Sequence, residues 1–340
     1  MKNEELVFSL SRPQLGSNSF HYHRRQNYAR VLLTIKEFSP ISRPEIAKRT
    51  GLSHPTVVSI VQELYEKKLV RLKKASHSDV GRNPFLVEFQ SQIGVVAGVD
   101  VGLESYGIVA DLNAKVLMEH RSSLSKTNFS CDLLGDLINH LLQTYGQNNL
   151  LGIAVSLSGL VSLAGEYLWM EKNQKFPVKK ELEKRFGVPV IVENDANMMM
   201  LAESRIGIAR GVSQAIYVIK TSSGIGFGIL INGSIYRGYQ GCAGENLGIV
   251  PEEVRTPEGD PSPSFITGLN RLIHLFDPEM IILGGALAKV GETFLEKVRK
   301  SVNDRQFPRE GVRIETGVVG RESIIQEVVN LGIEKLLGFE

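Results

Sequence analysis

From residue 94 onward the chain alternates short apolar runs with amphipathic stretches, and near residue 213 that order starts again. "GVVAGVDVG" has the pattern of a buried strand ending at Asp100-Val101-Gly102, and "SYGIVADLNAKVLMEHRSSL" that of two more strands turning at Asp111 to Ala114. The helix "CDLLGDLINHLLQTYG", the strand "LLGIAVSLSGLV", the helix "KKELEKRFG" and the strand "VPVIV" follow, with a further helix after "END". Then "SQAIYVIKTSSGIGFGILINGSIYRG" supplies a strand, a glycine turn, a second strand and a hairpin at Asn232-Gly233. A helix over 265–276 and the strand "EMIILGG" come next. This order makes α/β lobes, and two such lobes enclose a cleft. Both "DVG" and "SSGIG" fall at strand turns facing it, where backbone N–H groups can hold phosphates. A lone glycine turn is most often only a tight turn; two at equivalent places carry more weight.

The front of the chain has another pattern. "NYARVLLTIKEF" puts Val31, Leu32 and Ile35 on one helical face. Ser42 and Glu45 form a capping-box pair opening a short helix that Gly51 can end, and Ser53 is a good N-cap for the next, with Pro55 tolerated in its first turn. That second helix buries Val57, Ile60, Val61 and Leu64. Two short helices joined by a tight glycine turn form a helix-turn-helix, whose second helix meets base edges in the major groove with its first turn. Ser53, His54, Thr56 and Ser59 are therefore the candidate base-facing residues, with Arg43 and Lys48 near phosphates. "LVRLKK" and "PFLVEF" flank "ASHSDVGRN" as a wing, with Arg82 near its tip to reach a minor groove or a phosphate. Winged helices also serve as protein-binding modules. Charge favours DNA: residues 1–90 carry 15 Lys/Arg against 8 Asp/Glu, the remainder 24 against 29. A basic tail without a partner is the bland alternative.

The expected organisation is a mobile arm over 1–25, a winged helix-turn-helix over 26–90, a first lobe over 91–205 and a second over 206–340. The last helix of the second lobe is expected to pack back on the first. No apolar run approaches a membrane span, and the N-terminus lacks a signal-peptide layout. Cys131 and Cys242 are the only cysteines, so a disulfide framework or cysteine-rich zinc site is not expected, and a reducing cytoplasm is the default. No cofactor and no metal are expected.

"VENDAN", residues 192–197, closes the "VPVIV" strand with a glutamate, an amide and an aspartate. From these residues alone, Asn194 or Asp195 as a helix N-cap is the leading interpretation, with ligand contact as the other.

Several blocks in order, "PISRPEIAKRTGLSHPTVVSIVQELYEKKLV", "GRNP", "GVDVG", "VENDANMMMLAE", "SSGIGFGILINGSIYRGYQGCAGE" and "DPEMIILGGALAKVGETF", resemble the ROK family of repressors, open reading frames and sugar kinases. The resemblance implies an actin-like, ribonuclease H-like sugar kinase fold behind the winged helix, the arrangement of the family's transcriptional regulators. It implies that Asp195 stands where ROK kinases keep the base for the sugar hydroxyl, that Asn194, Asp195 and Glu245 contact sugar, and that Ser158-Gly159 replaces a sugar-side Pro-Gly turn. Asp100, Gly102, Ser223, Gly224, Gly284 and Gly285 fall in the family's nucleotide loops, here degenerate. The kinases follow "DxG" with glycine, threonine and lysine; this chain has Leu103, Glu104 and Ser105, and a glutamate beside a triphosphate opposes phosphoryl transfer. The zinc cluster after "GE" is replaced by Asn246-Leu247-Gly248 with no cysteine after it, and the segment before residue 265 is shortened. The implied function is a sugar-responsive DNA-binding transcriptional repressor of carbohydrate genes, with operator DNA, a sugar effector and a second copy of itself as partners and Asp195 as a vestigial base. The alternatives are an ATP-dependent sugar kinase and a constitutive DNA binder whose body only dimerises.

Overall fold

The computed structural model describes residues 19–74, 85–146, 149–169, 173–221, 224–246, 248–303, 311–320 and 322–337. The front unit runs α1 (Ser19–Phe38), β1 (Ile41–Ser42), α2 (Arg43–Thr50), α3 (His54–Glu66), β2 (Val70–Lys74) and β3 (Phe85–Phe89), with its strands ordered β1-β3-β2. Its helix boundaries are those that local chemistry dictates. The Ser42 hydroxyl accepts from the Glu45 N–H at 3.3 Å, Gly51 takes φ 68° and donates to the Ala47 carbonyl at 2.9 Å, and the Ser53 hydroxyl caps α3 from the Thr56 N–H at 3.4 Å. The capping box is only half built, because the Glu45 carboxylate turns to Arg49 at 2.8 Å. Val31, Leu32 and Ile35 of α1 are fully buried with Val57, Val61 and Leu64 of α3.

One boundary differs from expectation. α1 starts at Ser19, inside the stretch 1–25 assigned to an arm. Neither glycine nor proline interrupts residues 17–38, and Arg24 reaches Glu63 of α3 at 3.3 Å, so the helix continues beyond its apolar stripe. The wing tip, with Arg82, lies outside the described residues.

The first lobe contains β4 (Val95–Val101), β5 (Ser105–Ala110), β6 (Val116–Ser122), α4 (Cys131–Tyr145), β7 (Leu150–Leu157), the short strands β8 (Leu160–Val161), β9 (Tyr167–Trp169) and β10 (Gln174–Phe176), then α5 (Val178–Phe186), β11 (Val190–Asn194) and α6 (Asp195–Arg205). The second contains β12 (Ala215–Thr221), β13 (Gly224–Ile231), β14 (Ser234–Ile235), α7 (Pro263–Phe276), β15 (Met280–Gly285), α8 (Glu292–Asn303), β16 (Arg313–Thr316) and α9 (Glu322–Leu337). The sheets are ordered β6-β5-β4-β7-β11 and β14-β13-β12-β15-β16. In both, the first strand pairs antiparallel with the second and parallel with the fourth, and the fourth pairs parallel with the fifth. The repeat in sequence is thus a repeat in topology. Asn232 and Gly233 take φ 53° and 72° in the hairpin, as a type I′ turn requires.

α9 leaves the second lobe and packs on β4 and β7 of the first and on α6. Gly98 of β4 makes room for it: a Cβ there would lie 2.5 Å from a Val329 methyl. Ile325, Val329, Ile333 and Leu337 share one core with Tyr28, Ile35 and Leu69 of the winged helix. Arg205, at the end of α6, binds Glu327 at 2.9 Å and Glu334 at 2.7 Å. Ile333→Ala removes a fully buried side chain at this three-way junction and is expected to cost about 2–5 kcal/mol. Urea unfolding followed by circular dichroism checks this; a midpoint equal to wild type would contradict the packing.

Candidate functional site

The C-terminal ends of β4, β11 and β15 meet a cleft of about 940 Å³. Asp100, Gly102, Ser158, Asp195 and Gly285 line it, together with Leu103 and Lys220. At the end of β11 the chain turns into α6, and Asn194 is its N-cap: Oδ1 accepts from the Ala196 N–H at 2.8 Å and the Asn197 N–H at 3.3 Å. Its Nδ2 donates to the Gly159 carbonyl at 2.7 Å, which fastens the Ser158-Gly159 turn. Gly159 takes φ 135°, and a Cβ there would lie 3.1 Å from the Tyr167 ring. Asn194 is therefore spent largely on main chain, whereas Asp195, one residue later, opens on the cleft while one oxygen accepts from the Ala196 N–H at 2.9 Å.

Glu245 comes from the other lobe, where it forms a bridge to Gly226 of β13. Burial pushes its carboxyl above the ordinary 4.5, and the Asp195 charge pushes it further. Two carboxyls from opposite lobes thus stand close enough to feel each other. Such a pair suits a neutral polyhydroxyl ligand, since each carboxylate can accept from adjacent hydroxyls.

The glycine loops separate on inspection of their neighbours. Gly285 takes φ 61° beside the cleft. Gly284 has a packing reason instead: a Cβ there would overlap the Tyr217 ring, 2.0 Å from its oxygen. Gly224 starts β13, and the next N–H, of Ile225, donates to Glu252 at 3.1 Å. Glu252 also holds the Lys220 ammonium through its carboxylate at 2.8 Å and its carbonyl at 2.7 Å. Ser223 lies outside the described residues. Glu203 carries no signal in the sequence beyond being a charge in a helix, yet it is fully buried. Its carboxylate accepts from the N–H groups of Val318, Val319 and Ile208 at 2.8, 2.9 and 3.0 Å, fixing the loop before α9. Among the described residues no group of three or more His, Cys, Asp or Glu could hold a metal ion.

The winged helix presents a second candidate surface. His54 and Ser59 of α3, Ser53 before it and Lys48 of α2 are exposed. Thr56 is half-buried, and its hydroxyl lies 2.8 Å from that of Ser53, so these two serve the helix start. Arg43 is half-buried, with its Nε enclosed.

A profile of the ROK family matches residues 96–257, and one of the MarR family matches residues 25–79. Residues 96–257 thus carry a ROK family domain. The chain is 26% identical over 343 residues to the xylose repressor of Bacillus spizizenii, covering 85% of this chain and 89% of that protein. Its fold matches a ROK family transcriptional regulator, a homologue of the E. coli MLC protein, with a TM-score of 0.77 and 19% identity over 94% of this chain and 98% of the other. The lobes alone match a Streptomyces griseus ROK glucokinase solved with glucose and AMPPNP, with a TM-score of 0.55 and 22% identity over 70% of this chain and 99% of that one. The ROK body thus sits behind a MarR-type winged helix, and among the described residues no helix is long and apolar enough to cross a membrane.

The raised carboxyl of Glu245 gives a pH test. A carboxyl whose pKa is raised on folding holds its proton more tightly when folded, so stability falls as pH rises from about 4.5 through the raised value. Glu245→Gln should flatten that fall, gaining on wild type at neutral pH and losing its advantage below 4.5. Thermal unfolding from acid to neutral pH measures it; parallel profiles for the two proteins would contradict the assignment.

Proposed function

We propose that this ROK chain is a DNA-binding transcriptional repressor that takes a sugar in the cleft between its lobes without phosphorylating it. The observation that carries this is the physical continuity of the two surfaces. The loop before α9 lines the cleft through Val318 and Val319, and the far end of α9 is in the core of the winged helix. The helix is 16 residues, roughly 24 Å, and rigid over that length. A ligand that draws the lobes together moves one end of this helix, and the DNA-reading unit sits on the other. That is a route for a coupling free energy between two sites.

The sugar class comes from the Asp195 and Glu245 pair and from the relative whose name is xylose repressor, so D-xylose is the first candidate. Asp195, Glu245 and Ser158 would contact it, and Asn194 would act by fixing the Ser158-Gly159 turn. On the DNA side, His54 and Ser59 would face bases and Lys48 phosphates, in a symmetric dimer spanning two half-sites. Lack of kinase turnover is supported by Leu103 and the following Glu104 beside the cleft, and by the Glu252 carboxylate on the Lys220 ammonium and the Ile225 N–H, two groups suited to phosphate. The kinase reading retains one point in its favour, Asp195 in the cleft.

Gel shifts on the operator, with and without D-xylose and a panel of other sugars, test the whole. Operator affinity should drop steeply with salt, by about 0.9 log unit per log unit of salt for each phosphate neutralised. Asp195→Ala should lose the sugar response while sugar-free operator affinity stays within about twofold, since Asp195 lines the cleft and is not part of the core that joins α9 to the winged helix. A sugar response unchanged in that variant would remove the cleft from the mechanism. Sugar-dependent ADP release abolished by the same substitution would put the kinase first.

A further inference from the structure

Two loops from opposite lobes meet at one buried carboxylate that stands beside the candidate ligand residues. Glu193, next to last in β11, is only 7% exposed. Its Oε2 accepts from Arg237 Nε at 2.6 Å. Its Oε1 accepts from the Asn197 side-chain amide at 2.9 Å and from the Asn194 N–H at 3.0 Å. Neither Glu193 nor Arg237 lines the cleft. Glu193 pairs in register with Ser156, which pairs in turn with Asp100, so these three side chains share one sheet face.

Arg237 belongs to the second lobe, where it follows β14 and opens the segment 236–245 that ends at Glu245. That segment touches the first lobe again farther along. The Leu163 N–H donates to the Gln240 carbonyl at 3.1 Å, and Gly241, at φ 90°, packs so closely that a Cβ would stand 2.6 Å from the Leu163 nitrogen. Its end is fixed to β13: the Phe227 N–H donates to the Gly244 carbonyl at 2.8 Å, and a Cβ on Gly244 would lie 2.1 Å from the Phe227 carbonyl oxygen. The segment is therefore a strap, with backbone contacts at its middle and far end and one ion pair at its start.

We propose that the Glu193–Arg237 pair is a positioning latch: it sets the separation of Asp195 and Glu245 across the lobes, and with it the sugar affinity of the cleft, without touching the sugar. The sugar part rests on the reading of the cleft given above. Two neighbouring carboxyls repel once both are ionised, which drives the lobes apart. The latch partners lie 44 residues apart, in the fold's two halves, and oppose that drive because Glu193 precedes Asp195 by two positions and Arg237 precedes Glu245 by eight. A short charge-assisted bond to an almost fully buried carboxylate is strong, and removing one partner leaves the other charge uncompensated.

The test uses the full-length protein with Glu193→Gln, Arg237→Gln, the double substitution, and Arg237→Lys as a milder variant that keeps the charge. Calorimetry with D-xylose, or with whichever panel sugar wild type binds, should show each Gln variant weakened by about tenfold or more. The double variant should be no weaker than the worse single, and Arg237→Lys should recover part of the loss. A second readout needs no sugar. Burial raises the Glu245 carboxyl first and Asp195 on α6 raises it further, while the Cys242 thiol in the strap is raised by burial and by Glu245. Carbon-13 carboxyl NMR should show the Glu245 titration midpoint moving down toward 4.5 in Glu193→Gln, as Asp195 recedes. Loss of a merely stabilising pair would lower the unfolding temperature and leave that midpoint in place. An unchanged midpoint overturns the latch whether or not sugar binds. So does sugar affinity within twofold of wild type in both Gln variants. If wild type binds none of the sugars while the midpoint moves, the latch stands and the sugar reading falls.

Discussion

The apolar stripe of α9 is the constraint on which the rest of the molecule depends. Ile325, Val329, Ile333 and Leu337 are covered by the first-lobe sheet and the winged helix, and Ile324, Val328 and Leu331 pack with α6, so three separate bodies meet on one helix. Burial of such side chains is worth roughly 1.5–3 kcal/mol each, so this one helix contributes several such terms to holding three bodies in one arrangement. The glycine at position 98 is part of the same fit, since a side chain there would displace Val329. The ion pairs from Arg205 to Glu327 and Glu334 then fix where along α9 the end of α6 lies. Glu327 is almost fully buried, and its burial pushes its carboxyl upward against the pull of Arg205, so the pair adds register more than net stability.

The cleft follows from the same geometry. Parallel strands of both sheets end there, and α6 starts beside it at Asp195. Capping and ligand contact are not rivals in "VENDAN": Asn194 takes the cap and Asp195 the cleft. A strand followed at once by a helix requires a capping side chain at the junction, and the next side chain is carried onto a different face. Glu193 does neither: it lies on the sheet face that it shares with Ser156 and Asp100 and binds Arg237. Three consecutive polar residues thus have three separate duties: strand alternation separates Glu193 from Asn194, and the chain is already helical at Asp195.

Within that frame, ordinary carboxylates serve as internal ligands. Glu203 closes the loop before α9, Glu252 occupies the turn at the start of β13 along with the Lys220 ammonium, and Glu193 binds Arg237. Each takes N–H or ammonium groups that would otherwise face a cleft or a core. The acidic side chains left lining the cleft are Asp100 and Asp195, with Glu245 near enough to feel the charge of Asp195.

The sequence by itself determined the local structure: the helix starts at Ser42 and Ser53, the turn at Gly51, the type I′ hairpin at Asn232-Gly233, and the restarted strand order. These depend on backbone repeats and on side chains within a few residues, which spacing exposes directly. It missed the start of α1 at Ser19, where helix continues without an apolar stripe, and passed over α8, the short β16 and the β8 to β10 strands, whose runs are brief or mostly polar. It named Asp195 and Glu245, through a resemblance rather than through their spacing. The tertiary structure alone decided that Gly284 answers to the Tyr217 ring, that the Asn194 amide also holds the Gly159 carbonyl, and that Glu193 meets Arg237. Those outcomes depend on distances between groups far apart in the chain, and such distances exist only once the two sheets and α9 have packed.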